Sequence, residues 1–271
     1  MKDINPSLII VMQLKGGVGK STITKLTYQS SVDEFGEDSI LLVDADSHNK
    51  SVFKAYPEKA LLLNLSIKSH CLKLATLGEE NQGKIILVDF PAGDAKEIQS
   101  IFGSASDVND FLESYKDAGF SVKVAIPVSN DAESNAAMSK IYDIFHDSVE
   151  YFLVKNLRPE RDETKYADAF KIFEGEPRRF AEDVLKIETM VQAPDIDDPK
   201  SLVGYTSNCI LLPCLADEVK EKLSVGEKGE KTEELPLSEA NLAGLQSIYR
   251  REGMKFFTKM KARILASNLL K

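Results

Sequence analysis

The sequence predicts an α/β chain: a mostly parallel, doubly wound sheet flanked by helices. Three observations predict it. Runs of six or seven residues, apolar through their middles, recur along the chain and read as strands buried on both faces. Stretches of helical periodicity separate them, so strand and helix alternate as in βαβ units with right-handed crossovers. Glycine-rich or acidic signals follow the C-terminal ends of these runs, where open parallel sheets hold ligands.

In chain order, Ser7–Gln13 is the first strand, followed by a glycine-rich turn and a helix from Gly19 to about Ser31. Ser39–Asp44 and Lys84–Asp89 are strands that each end on an aspartate, with Leu61–Leu65 a weaker candidate between them. Ser121–Pro127 and Glu150–Lys155 flank a helix over Asp131–Phe145. Residues 157–207 are highly charged and read as a helical insertion, after which Asn208–Leu215 resumes the sheet. Ser224–Glu234 is charged and contains glycine, as loops do. Ser238–Leu270 reads as one or two closing helices, with Gly253 as the point of a break. The expected organisation is one main domain over 1–223, a charged loop over 224–236, and a basic helical segment over 237–271 packed on the same domain.

The composition suits such a core, with 43% hydrophobic residues in a chain of 271. A net charge of −9 argues against a surface that attracts nucleic acid as a whole. The charge is uneven: Arg250–Lys271 carries seven basic residues and one acid, +6, which leaves −15 on the rest. Cys71, Cys209 and Cys214 have no metal-ligand spacing, and their odd number argues against a disulfide framework. No apolar run approaches the roughly 18 residues that span a bilayer. The first residues lack a signal-peptide profile, so the expectation is a cytoplasmic protein. His48, His70 and His146 form no catalytic set.

Lys15-Gly16-Gly17-Val18-Gly19-Lys20-Ser21-Thr22 follows a strand and opens a helix, the context a phosphate-binding loop requires. Glycines let successive backbone N–H groups curl toward phosphate oxygens, and the helix N-terminus adds partial positive charge. Lys20 is placed to reach the β- and γ-phosphates, and the Ser21 hydroxyl to ligate Mg2+. The expected cofactors are ATP and Mg2+. The first glycine of the general motif G-x-x-x-x-G-K-[ST] is replaced by Leu14.

The combination K-G-G-V-G-K-S resembles the deviant Walker A loop of the ParA/MinD family of P-loop NTPases (SIMIBI class), in which that first position varies. The resemblance covers roughly Ile4 to Leu223, the insertion excepted. It implies an ATP-driven dimeric switch that positions plasmids, chromosomes, division sites or protein cargo. It also implies that Lys15 reaches across the dimer to the partner's nucleotide. Asp44 and Asp46, in L-L-V-D-A-D-S-H-N, are similar to the family's switch I. By that match Asp46 orients the attacking water, as a carboxylate can, and Asp44 supports magnesium or the lysines. Ser47-His48 stands where the family has Pro-Gln, which bears on loop shape and hydrolysis rate; His48 could touch phosphate or simply lie at the surface. Asp89-Phe90-Pro91-Ala92-Gly93 looks like Walker B and switch II, with Asp89 holding a magnesium-bound water and the Gly93 N–H sensing the γ-phosphate. Asn156 matches the family's adenine-binding asparagine, an amide able to donate to N7 and accept from N6. Pro213 matches a late strand bordering adenine. A strand-end asparagine also serves as a turn or cap residue, and that alternative stays open.

The stretch Asp46-x-x-Asn49-x-Ser51-x-Phe53-x-x-Tyr56 and the closing L-P-L-S-E-A-N-L resemble plasmid-encoded members linked to conjugal transfer and plasmid stability (the TraL/StbB-like group). Implied partners are an ATP-dependent homodimer and a partner or adaptor protein. Phe256, Phe257, Met260, Ile264 and Leu265 share one face of the basic tail. Three roles stand for that segment: a helix closing the core, a contact with DNA backbone or a partner protein, or a reversible amphipathic membrane anchor. Two other functions remain: an ATP-dependent metabolic ligase or synthetase of the same superfamily, against which Lys15 argues, and a module that binds ATP without turnover.

Overall fold

The computed structural model describes residues 4–93, 101, 103, 105–157, 170–189, 208–215, 219–220, 224–225, 233–234, 238–243 and 245–271. Seven strands form the main sheet: β1 (Ser7–Val11), β2 (Ile40–Asp44), β3 (Ala60–Leu62), β4 (Ile85–Asp89), β5 (Ser121–Val128), β6 (Glu150–Asn156) and β7 (Cys209–Leu212). Their order is β3-β2-β4-β1-β5-β6-β7, and every neighbouring pair is parallel. β1 lies at the centre. From it the chain winds first to one side, then crosses to the other, so the loop after β1 sits at the topological switch point.

The helices are α1 (Lys20–Phe35), α2 (Ser51–Ala55), α3 (Lys68–Glu80), α4 (Ala105–Asp117), α5 (Ala132–Phe145), α6 (Glu176–Arg179), α7 (Glu239–Ala243) and α8 (Ser247–Ala266). The strand periodicity of two divides the core between two faces. Leu8, Ile10, Ile86 and Val88 point to one side, where α3, α4, α5 and residues 170–189 cover them. Ile9, Val11, Ile85 and Leu87 point to the other, under α1 and α8. This two-sided burial is why the strands read as continuous apolar runs.

Several boundaries differ from the sequence expectation. β1 stops at Val11; Met12 N still donates to Ala125 O at 3.0 Å, and the bend into the loop begins at Leu14. The weak strand at Leu61–Leu65 is Ala60–Leu62, an edge strand paired only to β2. Within the stretch expected as a charged loop, Ser224–Val225 pairs antiparallel with Glu233–Glu234. Of the insertion, residues 170–189 hold short helical turns that bury Phe173, Ala181 and Leu185; the rest of the expected helical insertion lies outside the described residues.

Gly253 is not a break. α8 runs through it, and the interruption lies between α7 and α8. The glycine is there for packing: a Cβ would stand 2.4 Å from Leu242 Cδ2 and 3.2 Å from Val219 Cγ1. The basic tail closes the core. Phe256, Phe257, Met260 and Ile264 are buried, and α8 packs on α1 and β7. The apolar face that a membrane anchor would need is therefore already covered. Arg263 is buried and donates to Leu211 O at 2.7 Å, while Lys261 pairs with Asp33 at 2.7 Å. No helix among the described residues is long and apolar enough to cross a membrane.

Candidate nucleotide-binding site

The loop between β1 and α1 is shaped by glycines with separate duties. A Cβ on Gly16 or Gly17 would meet nothing within 4 Å, so the outer rim borders open space, the cradle a phosphate chain needs. Gly19 caps α1 at φ 100°, and a Cβ there would fall 2.9 Å from Asn156 Nδ2. Val18 is buried beneath the loop, and Thr22 lies in the first turn of α1. Lys20 is 7% exposed. Burial pushes its amine below the ordinary lysine range, and the nearby Asp89 and Asp46 oppose the shift. A buried ammonium with only partial counter-charge gains most from an approaching anion.

The register of the sheet brings two carboxylates to the loop: Asp44 and Asp89 are directly paired across β2 and β4, and Asp89 lies beside Val11 at the end of β1. Asp89 accepts from Ser21 Oγ at 2.7 Å and from Thr24 Oγ1 at 2.9 Å. Burial raises its carboxyl to about 7; the Ser21 hydroxyl pulls it down, while the charge of Asp44 pushes it up. A hydroxyl and a carboxylate converging beside a phosphate cradle are hard oxygen donors of the kind Mg2+ takes, and the residues fit that ion. Its charge would favour the ionised Asp89.

Asp44 and Asp46 shape the turn after β2, the segment expected as switch I. Asp44 is buried; its Oδ1 accepts from Asp46 N at 3.0 Å, and its Oδ2 from Val52 N and Phe53 N at 3.0 and 2.8 Å, which holds the start of α2. Burial raises its pKa against those three bonds. Asp46 accepts from the backbone N–H of His48 and Asn49, and from Asn49 Nδ2 at 2.8 Å, closing the turn that contains Ser47-His48. Beyond β4, Gly93 N donates to Leu14 O at 3.2 Å, tying the segment after Asp89 to the entrance of the loop. The helix expected beyond Gly93 begins outside the described residues.

The Lys15 side chain pairs with acids at the start of α5. Its amine lies 2.9 Å from Asp131 Oδ1 and 3.2 Å from Glu133 Oε2, at the N-terminus of α5. The Asp131 hydrogen bond raises the Lys15 pKa. For Asp131 itself burial works upward, but the bonds from Lys15, Ser129 and Ser134 N outweigh it and hold the carboxyl at about 2. Asn156 donates to Val18 O at 2.9 Å, supporting the loop from below, and Pro213 is buried just past β7. Sequence reading missed Gln13, Thr24, Asp131 and Glu133. Gln13 and Thr24 are ordinary residues without a motif. Asp131 carries a readable signal, since its side chain accepts from Ser134 N as an N-cap does.

A parallel sheet with its phosphate loop at the switch point, facing an aspartate at the end of the adjacent strand, is the P-loop NTPase fold. The chain is similar over part or most of its length to several known proteins. Over 96 residues it is 31% identical to Protein MobD of Acidithiobacillus ferrooxidans, matching 35% of this chain and 41% of that protein; the match thus spans well under half of MobD. Similar solved structures include the MinD cell division protein of Aquifex aeolicus (18% identity, 66% of this chain, 78% of that one, TM-score 0.41). They also include the septum site-determining protein MinD of Pyrococcus horikoshii, complexed with Mg-ADP (13%, 96% and 94%, TM-score 0.42). A third is the Cyanothece McdA(D38A)–ATP complex (13%, 70% and 100%, TM-score 0.30). No protein-family model matches the chain.

Proposed function

We propose that the chain is a Mg2+-dependent ATPase whose ATP-bound form dimerises, and that it positions or segregates plasmid DNA or another large cargo in partition, stability or conjugal transfer. The observation that carries this reading is the placement of Lys15. It sits in the phosphate loop but pairs with Asp131 and Glu133, so the nucleotide of its own chain is left to Lys20. A second cation with no duty at its own phosphates is available for those of a second chain. The sequence resemblance to the ParA/MinD loop supports the same assignment.

In this mechanism the loop N–H groups and Lys20 bind the phosphates. Ser21 and Asp89 would hold Mg2+, which would supply charge neutralisation to the phosphates when bound. Asp46 orients the attacking water, and Lys15 of the opposing chain stabilises charge developing on the γ-phosphate. Gly93 exchanges its Leu14 bond for the γ-phosphate, which transmits the nucleotide state to switch II.

Light scattering after size exclusion tests the proposal, with ATP, with ADP and with neither. An Asp46→Ala background traps ATP. A dimer formed only with ATP is expected, together with steady hydrolysis by the parent. A monomer in all three conditions removes the switch. One observation favours a second reading, a module that holds ATP with little turnover: both Asp46 oxygens are engaged in folding switch I. Dimerisation without measurable phosphate release by the parent chain would select it.

A further inference from the structure

Gln13 precedes the phosphate loop and is completely buried, yet no nucleotide-binding motif includes it. Its side-chain amide has one acceptor and two donor hydrogens, and each has a partner of its own. Gln13 Oε1 accepts from Leu14 N at 2.8 Å. Gln13 Nε2 donates to Pro127 O at 2.8 Å and to Ser134 O at 3.0 Å. Those partners belong to three elements: the loop entrance immediately before Lys15, the end of β5, and the first turn of α5. That same turn carries both carboxylates that hold Lys15. Asp131 is its N-cap, fixed by Ser134 N at 2.8 Å and by the Ser129 hydroxyl, and Asn135 Nδ2 donates back to Asp131 O at 2.9 Å.

We infer that Gln13 is a positioning residue that sets the strength of the intrachain Lys15–Asp131/Glu133 pairing, and so the fraction of time Lys15 is free to leave it. The inference deepens the proposed switch and rests on it for its consequence, though not for its test. The physical argument is one of register. Lys15 is joined to Leu14, whose backbone N–H is fixed by Gln13. Asp131 and Glu133 are joined to Ser134, whose carbonyl is fixed by the other end of the same amide. A single planar group thus sets the distance between the lysine and its acids. Charge-assisted hydrogen bonds depend steeply on that geometry. With the register fixed, Lys15 leaves its acids by rotation of its own side chain, while the loop stays in place for the nucleotide.

The test uses the nucleotide-free chain, so its outcome does not depend on ATP hydrolysis or dimerisation. Amine acylation with an N-hydroxysuccinimide ester, read by mass spectrometry at Lys15, reports the free neutral amine; exposed Lys50 is the internal control. The variants are Gln13→Met, which keeps the volume and loses all three bonds, and Gln13→Asn, which keeps the amide but shortens its reach. The expected result is a several-fold rise in Lys15 labelling relative to Lys50 in both variants. Asp131→Asn should give a similar rise, with no further increase in the double variant Gln13→Met/Asp131→Asn. Unchanged Lys15 labelling in the folded variants overturns the inference, as does full additivity with Asp131→Asn. If Gln13→Met fails to fold, Gln13→Asn alone decides. Dimerisation of the parent with ATP is measured separately: its absence sinks the proposed function and leaves the positioning result standing.

Discussion

Lys15 and Lys20 share one loop but are held by different chemistry. Lys20 is buried, with its pKa lowered by that burial, so an approaching anion would favour its charged form. Lys20→Ala should cost about 3 kcal/mol of nucleotide binding, on the order of 100-fold, because a desolvated charge-assisted contact is lost. Calorimetry with a nonhydrolysable ATP analogue measures it, and near-parental affinity would remove the phosphate-loop assignment. Lys15 is a half-exposed partner of Asp131, and here pH is the probe. Asp131 titrates near 3.8 when unperturbed and at about 2 in the fold. The folded value is the lower one, so the ion pair's stabilisation is present at neutral pH and disappears as pH falls from about 4 through about 2. Asp131→Asn should therefore lower the urea midpoint at about pH 6 and change it little at about pH 2. A deficit equally large at both pH values would show that the side chain acts through packing instead of charge.

At the scale of elements, α8 shows what packing adds to a helix the sequence already marks. Gly253 faces Leu242 and Val219 across a gap too small for a branched side chain. Gly253→Ala gains about 1 kcal/mol of helix propensity, and the mobile end of Leu242 can give way, so the net change should be small. Gly253→Val should destabilise by about 2 kcal/mol through overpacking. Thermal unfolding of both variants checks this; two near-neutral results would mean that the α7–α8 contact is loose. The same glycine shows the limit of sequence reading. A glycine in a helical pattern signals either a break or a close approach, and only the neighbour across the gap decides. Strands were legible because burial on both faces leaves a run of apolar residues. The phosphate loop and Asp89 were legible because their chemistry forces a fixed spacing. The roles of Gln13, Asp131 and Glu133 at the loop were not: the helix-cap signal of Asp131 says nothing of a lysine more than a hundred residues away, and Gln13 acts through an amide that any fold can use. Residues 157–207 gave only amphipathic periodicity, which fixes neither direction nor contacts.

At the scale of the whole molecule, the central question is what Lys15 does when it leaves Asp131. A monomer in which Lys15 is paired most of the time presents a binding-competent face only in the remaining fraction. If the chain dimerises as proposed, its apparent dimer affinity would be weakened by that fraction, about tenfold for each lysine that is free one-tenth of the time. ATP would shift the balance only by contacts made better in the dimer, and the γ-phosphate of the opposing chain is such a contact. Two substitutions on the same ion pair should then act in opposite directions. Lys15→Ala removes the crossing cation and should abolish ATP-dependent dimerisation, with most turnover, while leaving ATP binding through Lys20 near the parental value. Asp131→Ala frees the cation and should strengthen dimerisation at limiting ATP by several-fold, and Glu133→Ala should do so less, being farther from the amine and more exposed. Sedimentation velocity across an ATP titration separates these outcomes. If Lys15→Ala dimerises as well as its parent, Lys15 has no role across an interface. If Asp131→Ala weakens the dimer, the carboxylate supports the active arrangement and does not restrain it.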